Sequence, residues 1–255
     1  RILNQVFMND GNGNLIFEQY FGKQESNTRG LCVADLNNDG FVDVAVANRK
    51  SQNFIYFNDG KGHFNNGLPF GSKDEATIKI ASGDMNGDNY IDLVLANRNG
   101  QPNRIYFGPT FKESSIYGTG KDETRGVVVN DMDGDNYLDI INANIGEKNA
   151  IYFGDADGLY NRKVLFGGSK DGTMAVAVED LDNDQDMDII VGNNGQKNQY
   201  YLNDNLKFSS YEFGNQESIT YGLSLADFNG DGLIDIVTAN SDGLNIIYYN
   251  SYNKK

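Results

Sequence analysis

Residues 35–48 read Asp-Leu-Asn-Asn-Asp-Gly-Phe-Val-Asp-Val-Ala-Val-Ala-Asn, nine residues of turn-forming, oxygen-bearing character followed by a short β-branched run. The first nine fit D-x-[N/D]-x-D-x-x-x-D, and the pattern returns at Asp84, Asp131, Asp180 and Asp227, at intervals of 49, 47, 49 and 47 residues. Side chains at positions 1, 3, 5 and 9, with the backbone carbonyl of position 7 between them, are spaced to converge on one hard cation. Ca²⁺ takes roughly six to eight such oxygens without strict octahedral geometry.

The five ligand sets are predicted residue by residue. The first loop (35–43) offers Asp35, Asn37, Asp39, the Phe41 carbonyl and Asp43; the second (84–92) Asp84, Asn86, Asp88, the Tyr90 carbonyl and Asp92. The third (131–139) offers Asp131, Asp133, Asp135, the Tyr137 carbonyl and Asp139; the fourth (180–188) Asp180, Asp182, Asp184, the Asp186 carbonyl and Asp188; the fifth (227–235) Asp227, Asn229, Asp231, the Leu233 carbonyl and Asp235. Loops three and four carry a fourth carboxylate and are expected to be the tighter sites. An EF-hand would place Glu at loop position 12, where this chain has Val46, Leu95, Asn142, Val191 and Thr238. The segments after each loop have strand character, so each loop joins two strands. Position 6, where the turn is sharpest, is Gly40, Asn89, Asn136, Gln185 and Gly232; Gln185 is the residue expected to be strained there. One acidic turn would be an ordinary hairpin connection. Five in register call for metal.

Composition points the same way. The formal charge of −15 looks like a cue for a basic partner, yet ligand positions 1, 3, 5 and 9 take 17 of the 36 acidic residues and leave 19 acids against 21 Lys and Arg. Five bound Ca²⁺ would bring −15 to −5, so the acidity is metal-site charge. No basic stripe supports nucleic-acid binding, and no apolar run is long enough to cross a membrane. The single cysteine, Cys32, excludes an intrachain disulfide and stands where the other copies have small packing residues. The chain opens at Arg1 with no signal peptide, which leads us to expect a processed or excised piece.

Aligned on the loops, each copy has four strand-like segments; in the first these are 29–34, 42–48, 53–58 and a run ending at Phe70-Gly71. A four-stranded antiparallel unit of about 40–50 residues is the size of a propeller blade. The expected fold is all-β, a single five-bladed propeller over 1–255 with four-stranded antiparallel blades. Segments like 53–58 begin six times, at Asn4, Asn53, Asn103, Asn149, Asn198 and Asn245, against five loops. The N-terminal strand around 15–20 is therefore expected to complete the last blade and close the ring; part of a six- or seven-bladed propeller is the alternative.

An aromatic residue stands 14 positions before each loop, at Phe21, Phe70, Tyr117, Phe166 and Phe213, each followed by Gly. Aromatic-Gly followed by D-x-[N/D]-x-D-G-x-x-D resembles FG-GAP/VCBS repeats, the calcium-binding propeller repeats of integrin α-subunit heads and some fungal lectins. The resemblance covers nearly the whole chain. The Gly-Ala-Pro half of the integrin repeat is not evident and the period is shorter, which places the chain nearer the microbial type.

Strand alternation puts the acidic loops on one face, and the strand 2–3 turns and blade connections on the other. The connections carry Thr28, Thr77, Thr124, Thr173 and Thr220 at one position, followed by Arg29, Ile78, Arg125, Met174 and Tyr221; the turns, bounded by Asn, hold Arg49, Lys50, Arg98, Lys148 and Lys197. Recurrent Thr and Asn are read as satisfying backbone groups, whereas Arg29, Arg125 and Tyr221 vary within a fixed frame and are the candidate ligand-binding residues. His63 lies in an Asn-Asp-Gly-Lys-Gly-His turn, and no catalytic constellation assembles around it. The expected function is a non-catalytic, extracellular, calcium-binding module for adhesion, taking a protein or carbohydrate ligand on the face opposite the loops. A lectin, or by resemblance the accessory propeller of a secreted polysaccharide- or lipid-active enzyme, are the alternatives, along with a purely architectural segment.

Overall fold

The computed structural model describes residues 3–22, 26–214 and 218–251, with the backbone alone at 65 and 66. The first pair of strands, β1 (Asn4–Asn9) and β2 (Leu15–Phe21), forms a two-stranded sheet. Blade 1 is β3 (Thr28–Ala34), β4 (Asp43–Asn48), β5 (Asn53–Asn58) and β6 (Phe64–Phe70); blade 2 is β7 (Thr77–Gly83), β8 (Asp92–Asn97), β9 (Asn103–Tyr106) and β10 (Ser114–Tyr117). Blade 3 is β11 (Thr124–Asn130), β12 (Asp139–Asn144), β13 (Asn149–Phe153) and β14 (Arg162–Phe166); blade 4 is β15 (Thr173–Glu179), β16 (Asp188–Asn193), β17 (Asn198–Asp204) and β18 (Lys207–Phe213). Blade 5 has three strands, β19 (Thr220–Ala226), β20 (Asp235–Asn240) and β21 (Ile246–Tyr248). All pairings are antiparallel meanders, giving a five-bladed all-β propeller with a strand pair in front of it. Among the described residues no helix is long and apolar enough to cross a membrane.

The first strand of each blade is the innermost: β3 packs on β7, β7 on β11, β11 on β15 and β15 on β19. Crowding there explains the small residues. A Cβ added at Gly30 would meet the Ile78 carbonyl at 3.0 Å and Lys79 Cα at 3.3 Å. The second strand is covered on both faces, and every residue of β4, β8, β12 and β16 is buried. Both signatures belong to sheets stacked face to face around an axis.

Two contacts clasp each blade to the next. The aromatic of each aromatic-Gly pair sets its ring edge-to-face on the strand-3 tyrosine of the following blade: Phe70 on Tyr106 at 5.5 Å, Tyr117 on Tyr152 at 5.8 Å, Phe166 on Tyr201 at 5.1 Å and Phe213 on Tyr248 at 5.1 Å between centroids. Such pairs add about 0.5–1.5 kcal/mol beyond the area they bury. The glycine is required because it takes positive φ and lies against the tyrosine hydroxyl, 3.1 Å from the Cβ site of Gly71 and 3.0 Å from that of Gly214. The second clasp is polar. The Asn amide that opens strand 3 donates to the Thr hydroxyl of the next blade, Asn53 to Thr77 at 3.2 Å, Asn103 to Thr124 at 2.8 Å, Asn149 to Thr173 at 3.1 Å and Asn198 to Thr220 at 3.0 Å. These Asn and Thr side chains are buried, so their role is the structural one expected from the sequence.

Ring closure by strand exchange is corrected by the pairing. β2 pairs with β1, and the hydrogen-bonded order of blade 5 stops at β21. The physical reason is that β21 already holds the strand-3 place of blade 5, while the N-terminal pair is clasped to blade 1. Phe21 sits edge-to-face on Tyr56 at 5.3 Å, and Asn4 donates to Thr28 at 3.4 Å. The pair thus stands where the outer half of a preceding blade would. Packing of comparable extent does not join β19 back to β3. Leu31 and Val33 on β3 are accordingly 53% and 62% exposed, and Phe228 is 46% exposed where its counterparts Leu36, Met85, Met132 and Leu181 are buried.

Candidate functional site

Each acidic loop is first a hydrogen-bonded turn. The position-1 carboxylate accepts from the backbone N–H of position 6, Gly40 to Asp35 at 2.8 Å, Asn136 to Asp131 at 2.8 Å and Gln185 to Asp180 at 3.0 Å among them. The position-5 carboxylate accepts from the N–H of position 7, as Phe41 to Asp39 at 2.9 Å and Asp186 to Asp184 at 2.9 Å. This curl needs positive φ twice. Position 6 has it in all five loops, with Gln185 at φ 79, and so does position 4, at Asn38, Gly87, Gly134, Asn183 and Gly230. The second requirement was not seen in the sequence, where Asn and Gly at position 4 carry no mark distinguishing them from neighbouring turn residues.

The position-9 carboxylates Asp43, Asp92, Asp139, Asp188 and Asp235 are fully buried at the start of strand 2. One oxygen accepts from the N–H of position 2, with distances such as 2.8 Å from Met132 to Asp139 and 2.8 Å from Leu181 to Asp188. The other accepts from the backbone at the end of strand 3, Gly154 at 2.9 Å and Asn203 at 2.8 Å. Each therefore braces loop, strand 2 and strand 3 together. Burial, aided by the neighbouring loop carboxylates, lifts Asp92 to about 6, Asp139 to about 7 and Asp188 to about 6, and raises Asp43 as well.

Position 3 divides the loops. In loops one, two and five the amides of Asn37, Asn86 and Asn229 donate to the position-5 carboxylates Asp39, Asp88 and Asp231 at 2.8, 3.1 and 2.9 Å. In loops three and four the residue is Asp, and the carboxylate oxygens of positions 1, 3 and 9 come within 4.8 Å of one another, in the triads Asp131/Asp133/Asp139 and Asp180/Asp182/Asp188. Oδ1 of Asp133 and Oδ1 of Asp182 are buried with no hydrogen-bond donor. A buried carboxylate oxygen with no partner is costly, and three converging carboxylates repel. An oxygen-only donor set with that deficit fits a hard divalent cation, so these triads could hold a metal ion. The position-5 carboxylates Asp135 and Asp184 fall outside the triads, and the Asp186 side chain accepts from the Asn205 N–H at 2.9 Å. Asp133 also pairs through its other oxygen with Arg162, whose guanidinium lies 3.9 Å over the Phe153 ring.

On the opposite face, Arg29, Arg125 and Tyr221 come together, with Ile78 and Met174, around a cavity of about 420 Å³. Each is the residue after the recurrent Thr of its inner strand, and each is the extra residue of a β-bulge: the pairing of β3 with β4 shifts between Thr28 and Gly30, and the same shift recurs in blades 2 to 5. Bulges re-aim side chains. Arg49, Lys79 and Arg98 complete the lining. Arg49 and Arg98 were visible in the sequence as turn cations following a strand-2 Asn, but nothing there showed that they converge with Arg125; Lys79 gave no signal. His63 is a half-buried turn residue bonded to Asp59 at 2.9 Å.

A propeller whose strand 1–2 turns are Asp-rich, two of them with converged carboxylates, defines a class of repeat proteins. The FG-GAP-like repeat matches the chain over residues 35–95, 84–142, 131–191 and 180–238, well over half of its length, and the chain belongs to that family. No curated protein matches it significantly. Among solved structures it is similar to a chain from the crystal structure of BBS1N in complex with ARL6DN, soaked with lead, at 14% identity and TM-score 0.60, over 96% of this chain and 73% of that one. The mercury-soaked crystal of the same complex gives 13% identity and TM-score 0.59, over 87% and 68%. At these identities the likeness is one of fold.

Proposed function

We propose that the protein is a non-catalytic, calcium-clamped binding module that works outside the cell. The observation that carries this reading is the pair of buried, donorless carboxylate oxygens on Asp133 and Asp182, each within a converged carboxylate triad. Calcium at each of the five loops would join positions 1 and 3 of the turn to the buried position-9 Asp, locking strand 1 to strand 2. Loops three and four take the ion most tightly. The other three, with one carboxylate fewer, suit the millimolar calcium of an extracellular medium. With the loops committed to metal, a protein or carbohydrate ligand is left the opposite face, where Arg29, Arg125 and Tyr221 converge. The similar solved chains come from a complex of two proteins, in keeping with a binding role. Adding EDTA to the calcium-loaded protein is expected to lower Tm by on the order of 10 °C, since two sites held at about 100 times Kd contribute about 2.7 kcal/mol each. An unchanged Tm would overturn the metal reading. A glycan array separates a carbohydrate ligand from a protein one.

A further inference from the structure

We infer that the axial cavity is an oxyanion site, gripping a phosphoryl, sulfate or carboxylate group between Arg49, Arg98 and Arg125. The inference rests on the reading that the face opposite the loops is the ligand face, and it gives that ligand a chemistry.

Five blades each send one bulged residue to this place, and cations come from three of them: Arg29 and Arg49 from blade 1, Lys79 and Arg98 from blade 2, Arg125 from blade 3. Among the described residues none of these five forms an ion pair, although Arg104, Arg162 and Lys197 elsewhere do. Nε of Arg49 and Nε of Arg125 are buried without an acceptor. Guanidinium groups that face one another unpaired repel, and their unmet N–H donors carry a desolvation cost. Arg98, whose Nε donates to Asn99 at 3.2 Å, reflects this: burial, followed by the nearness of Arg125 and Arg49, holds it below its ordinary value against the opposing pull of the Glu123 carboxylate. An oxyanion resolves both deficits at once. The planar guanidinium fork matches carboxylate and phosphoryl oxygens in two parallel hydrogen bonds. A cavity of about 420 Å³ has room for a small ligand or the tip of an acidic chain. Tyr221 and Met174 on the far side offer an apolar wall for the group that bears the charge. In a molecule of net charge −15, five cations outside any close ion pair at one spot act as a local attractor.

The test is calorimetric titration of the full calcium-loaded chain at low ionic strength with sulfate, with a capped tetra-aspartate peptide and with galactose. Saturable binding of sulfate or of the peptide is expected, with at least a tenfold loss of affinity in R98Q/R125Q and none in Lys148→Gln, which lies on the same face outside the cavity. Sulfate ahead of the peptide marks a phosphoryl or sulfate ligand; the reverse marks a carboxylate on a chain. Equal affinity in wild type and R98Q/R125Q, or heats that never saturate, would overturn the proposal, as would galactose binding in place of both anions. Arg49→Gln, expected to lose at least threefold, serves if the double variant does not fold. EDTA-sensitive melting is read on every variant, so loss of the calcium reading leaves its own signature and does not touch the anion result.

Discussion

At the third position of the acidic turn, loops one, two and five carry Asn37, Asn86 and Asn229, and loops three and four carry Asp133 and Asp182. Backbone path, capping hydrogen bonds and buried position-9 Asp are shared by both groups. The amide closes its loop on itself by donating to the position-5 carboxylate. The carboxylate has nothing to donate, and leaves a buried oxygen facing two others. Exchange of one NH₂ for one oxygen thus separates a turn that is satisfied alone from a turn that could hold a cation. Geometry common to all five makes the fold, and chemistry at one atom decides which turns leave a carboxylate oxygen unsatisfied.

The largest effect should come from the part the two groups share. Asp139→Ala removes the acceptor of two backbone N–H groups, and should cost about 3 kcal/mol or more even in EDTA. A loss under about 1 kcal/mol by urea denaturation would show that the brace is secondary to the metal. Next come the exchanges at position 3. Asp182→Asn should weaken calcium binding at loop four about tenfold while making the metal-free protein more stable by about 1 kcal/mol; Asn86→Asp should do the opposite at loop two. Calorimetry and EDTA melting of the pair check the comparison directly.

A smaller signal is expected from pH. Asp92, Asp139 and Asp188 have folded-state values of about 6, 7 and 6, above the unfolded carboxylate near 3.8. The folded metal-free chain therefore holds protons that the unfolded chain has lost. Its stability contribution is full below pH about 4 and is lost as pH rises through about 6–7. Tm in EDTA should fall between pH 5 and 7.5, and excess calcium should flatten or reverse that slope. Gln185→Gly is the smallest change. It relieves a left-handed residue at φ 79 and should add about 0.5–1 kcal/mol, the strain removed less the extra freedom of the unfolded glycine.

Much of this was legible because side-chain period and turn chemistry repeat. Residues 53–58 were expected as a strand and form β5, Asn53–Asn58; the loops were expected to join strands and do so; of the ligand positions expected in five loops, positions 1, 3 and 9 converge in loops three and four. Hydrogen-bond register was not legible. The bulge at Arg29, Arg125 and Tyr221 leaves no mark in the hydrophobic pattern, because one extra residue beside Thr looks like any turn neighbour. Nor could sequence say which strand lies beside which. Six strand-3 segments can be counted, but β2 pairing with β1 and standing against Tyr56 of blade 1 depends on packing between blades. Arg49 and Arg98 are distant in the chain from Arg125, and only the curvature of the stack gathers them.

Both clasps between blades run in one direction along the chain: an aromatic and an Asn of the earlier blade always grip a Tyr and a Thr of the later one. A polypeptide leaving the ribosome therefore meets, at each new blade, a finished neighbour already displaying its half of the lock. Docking can keep pace with synthesis, so a long array of non-local β pairings is assembled without any blade waiting for a partner not yet translated.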